Sequence, residues 1–164
     1  MDKTVFNRIM TDLRQKMYRF ALTLTKRTDE AEDIVQEVLV KLWERREELA
    51  AVKSVEAYAM SAVRNRCLDY ARSPHSRTDE MIEAYDAAHE QTPYNMLEQA
   101  DMVAFVRRLI KKLPEQQQMI INLRDIEGYE LDEIAEILEM NEGAVRTNLS
   151  RARQKIRDEL VKLY

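Results

Sequence analysis

The chain has 164 residues, 45% of them hydrophobic, enough for one domain or two small ones around a real core. Two Gly and three Pro in a background rich in Leu, Ala, Glu, Arg, Met and Ile leave little material for hairpins and predict an all-α protein. The formal charge is -4; the single cysteine, Cys67, excludes an intrachain disulfide, and no apolar run nears the roughly 18 residues of a membrane span.

A first helix is predicted over Thr4 to Leu24, where Val5, Ile9, Leu13, Met17, Phe20, Ala21 and Leu24 recur at three- and four-residue spacing. A second begins at Thr28, read as its N-cap, with Asp29 and Glu30 facing the positive end of the helix. Ala31, Ile34, Val35, Val38, Leu39, Leu42 and Trp43 form one stripe along it, the strongest helical signal in the chain. A third runs from Ser54 to about Arg72 and buries Val55, Tyr58 and Ala62, with Cys67 and Leu68 as further candidates. Cys67 reads as a small buried thiol. Three such helices close a bundle over residues 1–72.

Residues 73–94 break the pattern. Pro74, His75 and Ser76 lead into acidic sequence that ends at Pro93, and residues 76–100 hold one Arg against six Asp/Glu. A stretch of about twenty residues without a clear element reads as an interdomain linker, with a short helical turn around Met81 to Tyr85. A second domain, residues 95–164, opens on a helix marked by Leu97, Ala100, Val103, Ala104, Leu109 and Ile110. Pro114 breaks that helix and starts another, which carries Met119, Ile120 and Leu123 and stops at Gly128.

The last two helices are joined by a short polar turn containing Gly143, the helix-turn-helix plan. Leu131, Ile134, Ala135 and Leu138 give the first its core face. The second carries Arg146, Arg151, Arg153, Lys155 and Arg157, with Thr147, Asn148 and Ser150 between them. Cations beside phosphates and short polar groups near base edges are what a major-groove helix requires. A solvated face on a helix that packs through Val145, Leu149, Ile156 and Leu160 is the plainer alternative. Residues 142–162 hold six Lys/Arg against three Asp/Glu, so local charge permits DNA contact despite the acidic total.

Three segments of this half, Leu113 to Ile120, Gly128 to Ala135 and Gly143 to Arg153, resemble region 4 of bacterial sigma factors. Response-regulator output domains are similar, but Asp29 to Trp43 and Ala62 to Arg72 resemble sigma region 2, and no phosphoacceptor pattern of alternating strands and helices is present. The order of the two regions, with an acidic linker and no further module, resembles the extracytoplasmic-function (ECF) class. The resemblance implies two small helical domains, a three-helix bundle and a four-helix domain. Core RNA polymerase and promoter DNA are the implied partners, an anti-sigma factor a further one, and the setting is the reduced cytoplasm. It implies neither a cofactor nor catalysis by the chain itself, and His75 and His89, both in the linker, fit no metal-ligand or nucleophile spacing.

The resemblance also assigns residues. Asp33, Gln36, Glu37, Lys41 and Glu44 would face the polymerase clamp helices, unless they are simply solvated. The third helix and the loop before it, Glu48 to Lys53, would read and melt the -10 element: Asn65 offers an amide to a base edge, and Arg64, Arg66 and Arg72 suit phosphates. Tyr58 and Tyr70 are either core aromatics or stacking groups. Arg146, Thr147, Asn148, Ser150, Arg151, Arg153 and Lys155 would meet the -35 element. Asn148 stands where many relatives carry a basic residue, which shifts the expected base preference toward adenine. Asp79, Glu80, Glu83, Asp86 and Glu90 in the linker are either a soluble tether or mimics of phosphate inside polymerase channels. Two rivals stay open: a stand-alone helix-turn-helix regulator and a helical adaptor that works only through protein contacts.

Overall fold

The computed structural model describes residues 1–73 and 94–163, and the side chains of residues 1–73 and 99–163. Every regular element among them is helical. In chain order these are α1 (Lys3–Thr25), α2 (Thr28–Glu44), α3 (Arg46–Leu49), α4 (Val55–Ala71), α5 (Tyr94–Lys111), α6 (Glu115–Ile121), α7 (Leu131–Leu138) and α8 (Glu142–Val161), with one π-wound turn, Asn122–Ile126, continuing α6. The expected helical turn at Met81 to Tyr85 and the five linker carboxylates lie outside the described residues.

Helices α1, α2 and α4 pack on one another. Phe6, Met10, Leu13, Met17, Phe20 and Ala21 of α1 meet Ala31, Ile34, Val35, Val38 and Leu42 of α2, and all are buried. The sequence pattern placed Val5 in this stripe, but Val5 is 40% exposed and Phe6 takes the inward position. The Phe6 ring stands edge-on to Trp43, with centroids 5.2 Å apart, so an aromatic pair fixes the start of α1 against the end of α2. Thr28 is not the N-cap of α2: Arg27 holds that extended position, its guanidinium donating to Asp29 at 3.2 Å instead of its side chain capping the helix backbone, and Thr28 is the first helical residue. At α4 the expectation holds, since the Ser54 hydroxyl accepts from the Ala57 N–H at 3.1 Å. The short α3 was not anticipated. It buries Leu49, so part of the expected Glu48–Lys53 loop is anchored to the core.

The sequence pattern of α4 understates its burial. Ala57, Ala59, Met60 and Val63 are fully buried, none of them anticipated, while Val55, Tyr58, Ala62 and Leu68 are only half-buried. The cause is packing on two sides: α4 lies on α1 and α2 and also against α7. Small residues at 57 and 59 let neighbouring backbones approach closely, and a helix covered on two sides loses the single apolar stripe.

In the second half α6, α7 and α8 form the packed unit, and α5 lies against α6 and α8. Met119, Ile120, Ile121, Leu123, Ile134, Ile137, Leu138, Val145, Leu149 and Ala152 are its core. Val103, expected inside, is 49% exposed, while Leu109 and Ile110 are buried as expected. Gly128 ends the π-turn at φ +82°, the left-handed region that only glycine enters freely. The turn of the helix-turn-helix is made differently from the expectation. Gly143 sits in the first turn of α8, and the left-handed residue is Glu139 at φ 54°. The Met140 N–H bonds to Ala135 O at 3.0 Å and the Glu139 N–H to Glu136 O at 3.4 Å, a Schellman closure. Asn141 then caps α8 through Oδ1, which accepts from Ala144 N–H at 2.7 Å.

Large-to-small changes in this core remove packing that cannot be recovered. Ile134→Ala should lower the unfolding free energy by about 2–4 kcal/mol, whereas Val5→Ala should change it by less than about 0.5 kcal/mol. Urea titration followed by circular dichroism checks both, and equal effects would contradict the assignment of the core.

Candidate nucleic-acid interface

Most of the cationic groups of α8 lie on its exposed side. Arg146, Thr147, Ser150, Arg151, Arg153 and Lys155 are all exposed, while Val145, Leu149 and Ala152 face inward. The capped N-terminus of α8 and the rigid turn before it fix where this row points. Several of the cations already have partners. Arg146 Nη2 donates to Glu142 Oε1 at 3.0 Å within the helix. Arg153 grips Asp125 of the π-turn through two bonds, Nε to Oδ2 at 3.1 Å and Nη2 to Oδ1 at 2.5 Å, and this carboxylate holds its guanidinium above the usual range. Lys155 Nζ donates to Gln117 Oε1 at 3.4 Å. Asn148 is half-buried and its Nδ2 donates to Ala144 O of its own helix at 2.9 Å, leaving Oδ1 as an acceptor. Asp125 and Gln117 were not singled out from sequence; both lie about thirty residues or more from the cations they meet, beyond the reach of local spacing rules.

The second group of expected contacts lies on α4. Asn65 and Arg72 are exposed, and Arg64 and Arg66 are half-buried. Arg66 Nε donates to Glu37 Oε2 of α2 at 2.7 Å, which ties the expected polymerase face to the expected -10 face. Arg64 comes within 3.7 Å of Glu139, the left-handed residue of the helix-turn-helix. Tyr58 and Tyr70 are both half-buried and pack against the core.

The expected polymerase face forms a single surface. Asp33, Gln36, Lys41 and Glu44 are exposed along α2, and the half-buried Glu37 sits between Arg66 and Lys41, whose Nζ is 3.8 Å away. Val40 is 56% exposed on the same helix, an apolar group that the sequence reading had not picked out.

Cys67 is 4% exposed, and burial pushes its thiol up to about 12. Its reactive thiolate is therefore scarce in the folded chain. Among the described residues no group of His, Cys, Asp or Glu could hold a metal ion, and no helix is long and apolar enough to cross a membrane.

Because the folded state favours the neutral thiol, the stability it contributes is whole below the ordinary thiol pKa of about 8.5 and falls as pH climbs above it. Alkylation of Cys67 by iodoacetamide at pH 8 should be slow in the native protein and become fast only with global unfolding. Rapid native labelling would show that the thiol is accessible.

Residues 9–78 match the sigma-70 region 2 family and residues 106–156 match sigma-70, region 4. The chain is 30% identical over 156 residues to the RNA polymerase sigma factor SigV of Bacillus subtilis, covering 93% of this chain and 89% of that protein. It is 27% identical over 164 residues to the probable RNA polymerase sigma factor RfaY of Xanthomonas campestris, covering 97% of this chain but only 41% of that one. Its fold is similar to that of the sigma factor RpoE of Bartonella quintana, solved with the anti-sigma factor NepR, at a TM-score of 0.71 and 23% identity over 94% of this chain and 96% of that one. Both halves and their order thus agree, and the chain belongs to the extracytoplasmic-function family of bacterial RNA polymerase sigma factors.

Proposed function

We propose that residues 1–72 bind core RNA polymerase and open the -10 element, that residues 95–164 read the -35 element, and that residues 73–94 join the two. The observation that carries this division is the separation of two chemically different surfaces. The row on α8 is cationic and exposed, and the face of α2 carries Asp33, Gln36, Glu37, Lys41 and Glu44. A mixed, mainly acidic face suits a basic partner surface, where rim charges set register and association rate. The α8 row suits phosphates and base edges.

In this scheme Arg146, Arg151, Arg153 and Lys155 neutralise backbone phosphate while Thr147, Asn148 and Ser150 lie near base edges. Arg153 has to exchange Asp125 for phosphate, so duplex binding by the isolated chain is weak and is assisted by the polymerase. On α4, Asn65 meets an unstacked base and Arg64, Arg66 and Arg72 hold the strands. Melting of this kind needs only a pocket that favours the flipped base over the stacked one. The chain contributes no bond-making chemistry; that belongs to the polymerase, and the work is done in the cytoplasm. An anti-sigma factor is the expected inhibitor, as in the complex of the Bartonella relative with NepR.

The decisive test is co-elution of the full chain with sigma-free core polymerase, with a housekeeping sigma factor as competitor. A stoichiometric, competable complex is expected. Its absence with folded chain would favour the stand-alone regulator, and a complex whose promoter activity survives both Arg146→Ala and Arg151→Ala would favour the adaptor.

Within the complex, Arg151→Ala should weaken promoter binding by about tenfold, leave core binding unchanged and reduce the salt slope by about one. Base-by-base substitution of the -35 element should show an adenine preference that Asn148→Ala removes; no such preference, or one untouched by the substitution, would reject that base assignment.

A further inference from the structure

The first turn of α8 holds a carboxylate that the fold does not use. Asn141 caps the helix through Oδ1, so Glu142, the first helical residue, is not needed as a cap. Glu142 is exposed, and its Oε1 accepts from Arg146 Nη2 at 3.0 Å. Among the described residues no other side chain bonds to it. An acid in a first turn also favours the positive helix end, an effect that any carboxylate there would supply.

Glu142 borders a lane shaped for close approach. Gly143, Thr147 and Ser150 are all exposed and fall at i, i+4 and i+7, one face of the helix. Gly143 lies inside the first turn, where glycine weakens a helix, and its φ is outside the left-handed region. A Cβ there would meet only Asn141 Oδ1, at 3.4 Å, an ordinary contact. Nothing inside the protein therefore demands a glycine at this position. Bare backbone lets an outside surface come close, and in a helix-turn-helix the N-terminal residues of the second helix are the ones that contact base edges.

In the proposed function Arg146 turns to backbone phosphate, and the consequence falls on Glu142. It loses its partner as the groove takes in the helix. An ionised carboxylate can only accept, and leaving it without a donor beside phosphate is unfavourable. Donors on the major-groove edge are few: the N4 amino group of cytosine and the N6 amino group of adenine. Guanine and thymine present acceptors, O6, N7 and O4, which repel it. Adenine sets its N7 acceptor beside the donor, so cytosine is the base that suits a carboxylate best.

We propose that Glu142 is a specificity-determining residue that selects cytosine within the -35 element by accepting from its N4 amino group, with Arg146 shielding the carboxylate until DNA is bound. The proposal rests on the assignment of α8 to that element. Glu142 and Asn148 are six residues apart, about 9 Å along the helix axis, so they read different base pairs.

The test uses the full chain assembled with core polymerase and a pool of duplexes randomised over both promoter elements, bound, recovered and sequenced. The wild type should enrich cytosine at one -35 position about tenfold over the other bases. Glu142→Ala should level that position alone and leave the adenine preference assigned to Asn148. Glu142→Gln should turn the same position from cytosine to adenine, because an amide matches the N6 donor and N7 acceptor together. A helix-end role cannot produce this change of base. With the chain alone, Glu142→Ala should bind a duplex lacking the element several-fold more tightly than the wild type does, since the acid beside Arg146 is gone. A pool without a cytosine preference, or a preference that both variants leave intact, would overturn the proposal. So would a uniform loss of affinity in Glu142→Ala with every base preference unchanged, the mark of a helix-end role. Enrichment of no -35 sequence by any of the proteins would overturn the proposal and the assignment of α8 together, which distinguishes the two failures.

Discussion

Burial of α4 on two sides is the constraint from which the rest of the structure follows. One side seals the bundle with α1 and α2, and the other receives α7. Its wholly buried residues, Ala57, Ala59, Met60 and Val63, are small or flexible, which suits a helix that must fit two surfaces at once. The residues proposed to meet DNA are those at the margins, Asn65 and Arg72 in solvent and Arg64 and Arg66 half-covered. The helix proposed to read the -10 element is therefore also the central packing element of the chain.

Charge is arranged in the same spirit. Arg146, Arg153 and Lys155 all have internal partners, as do Arg64 and Arg66. Pairs of this kind at or near the surface contribute little stability, which suits their exchange for phosphate in the proposed function. In the proposed function their effect is on selectivity: a net charge of -4 and partnered cations disfavour binding to duplex DNA by the chain alone and leave polymerase to supply further contacts.

Much of this was legible in the residues. The periodic stripes of α1 and α2 and the breaks at Pro114 and Gly128 placed helices to within a residue or two, because local propensity and a single buried face agree there. What local pattern could not convey was anything requiring two distant segments. The burial of Ala57 and Ala59 depends on α7, more than seventy residues away, and the partners Arg19–Glu127 and Glu56–Tyr129 are similarly remote. Phe6 takes the inward place expected of Val5: it continues the four- and three-residue spacing of Met10, Leu13 and Met17, and its ring meets Trp43, a partner that local pattern does not reveal. Glu139 was invisible for another reason: left-handed positions usually fall to glycine, and the short polar turn was read as containing Gly143, which belongs to α8. The division into DNA and polymerase residues came from the family resemblance, which helix periodicity alone does not provide.

The π-wound turn at Asn122–Ile126 acts as a phase setting. It accommodates one residue more than α-helical winding would, and in an α-helix one residue corresponds to about 100° of rotation. Deleting a single residue there would let the helix rewind regularly and would swing Glu127, Gly128 and everything after them by more than a quarter turn. The helix-turn-helix would keep its own fold yet face a different direction relative to α1. Among related chains, a one-residue length difference in this short stretch would therefore reorient the proposed -35 reader while its exposed residues stayed the same, a change of wiring that comparison of α8 alone would miss.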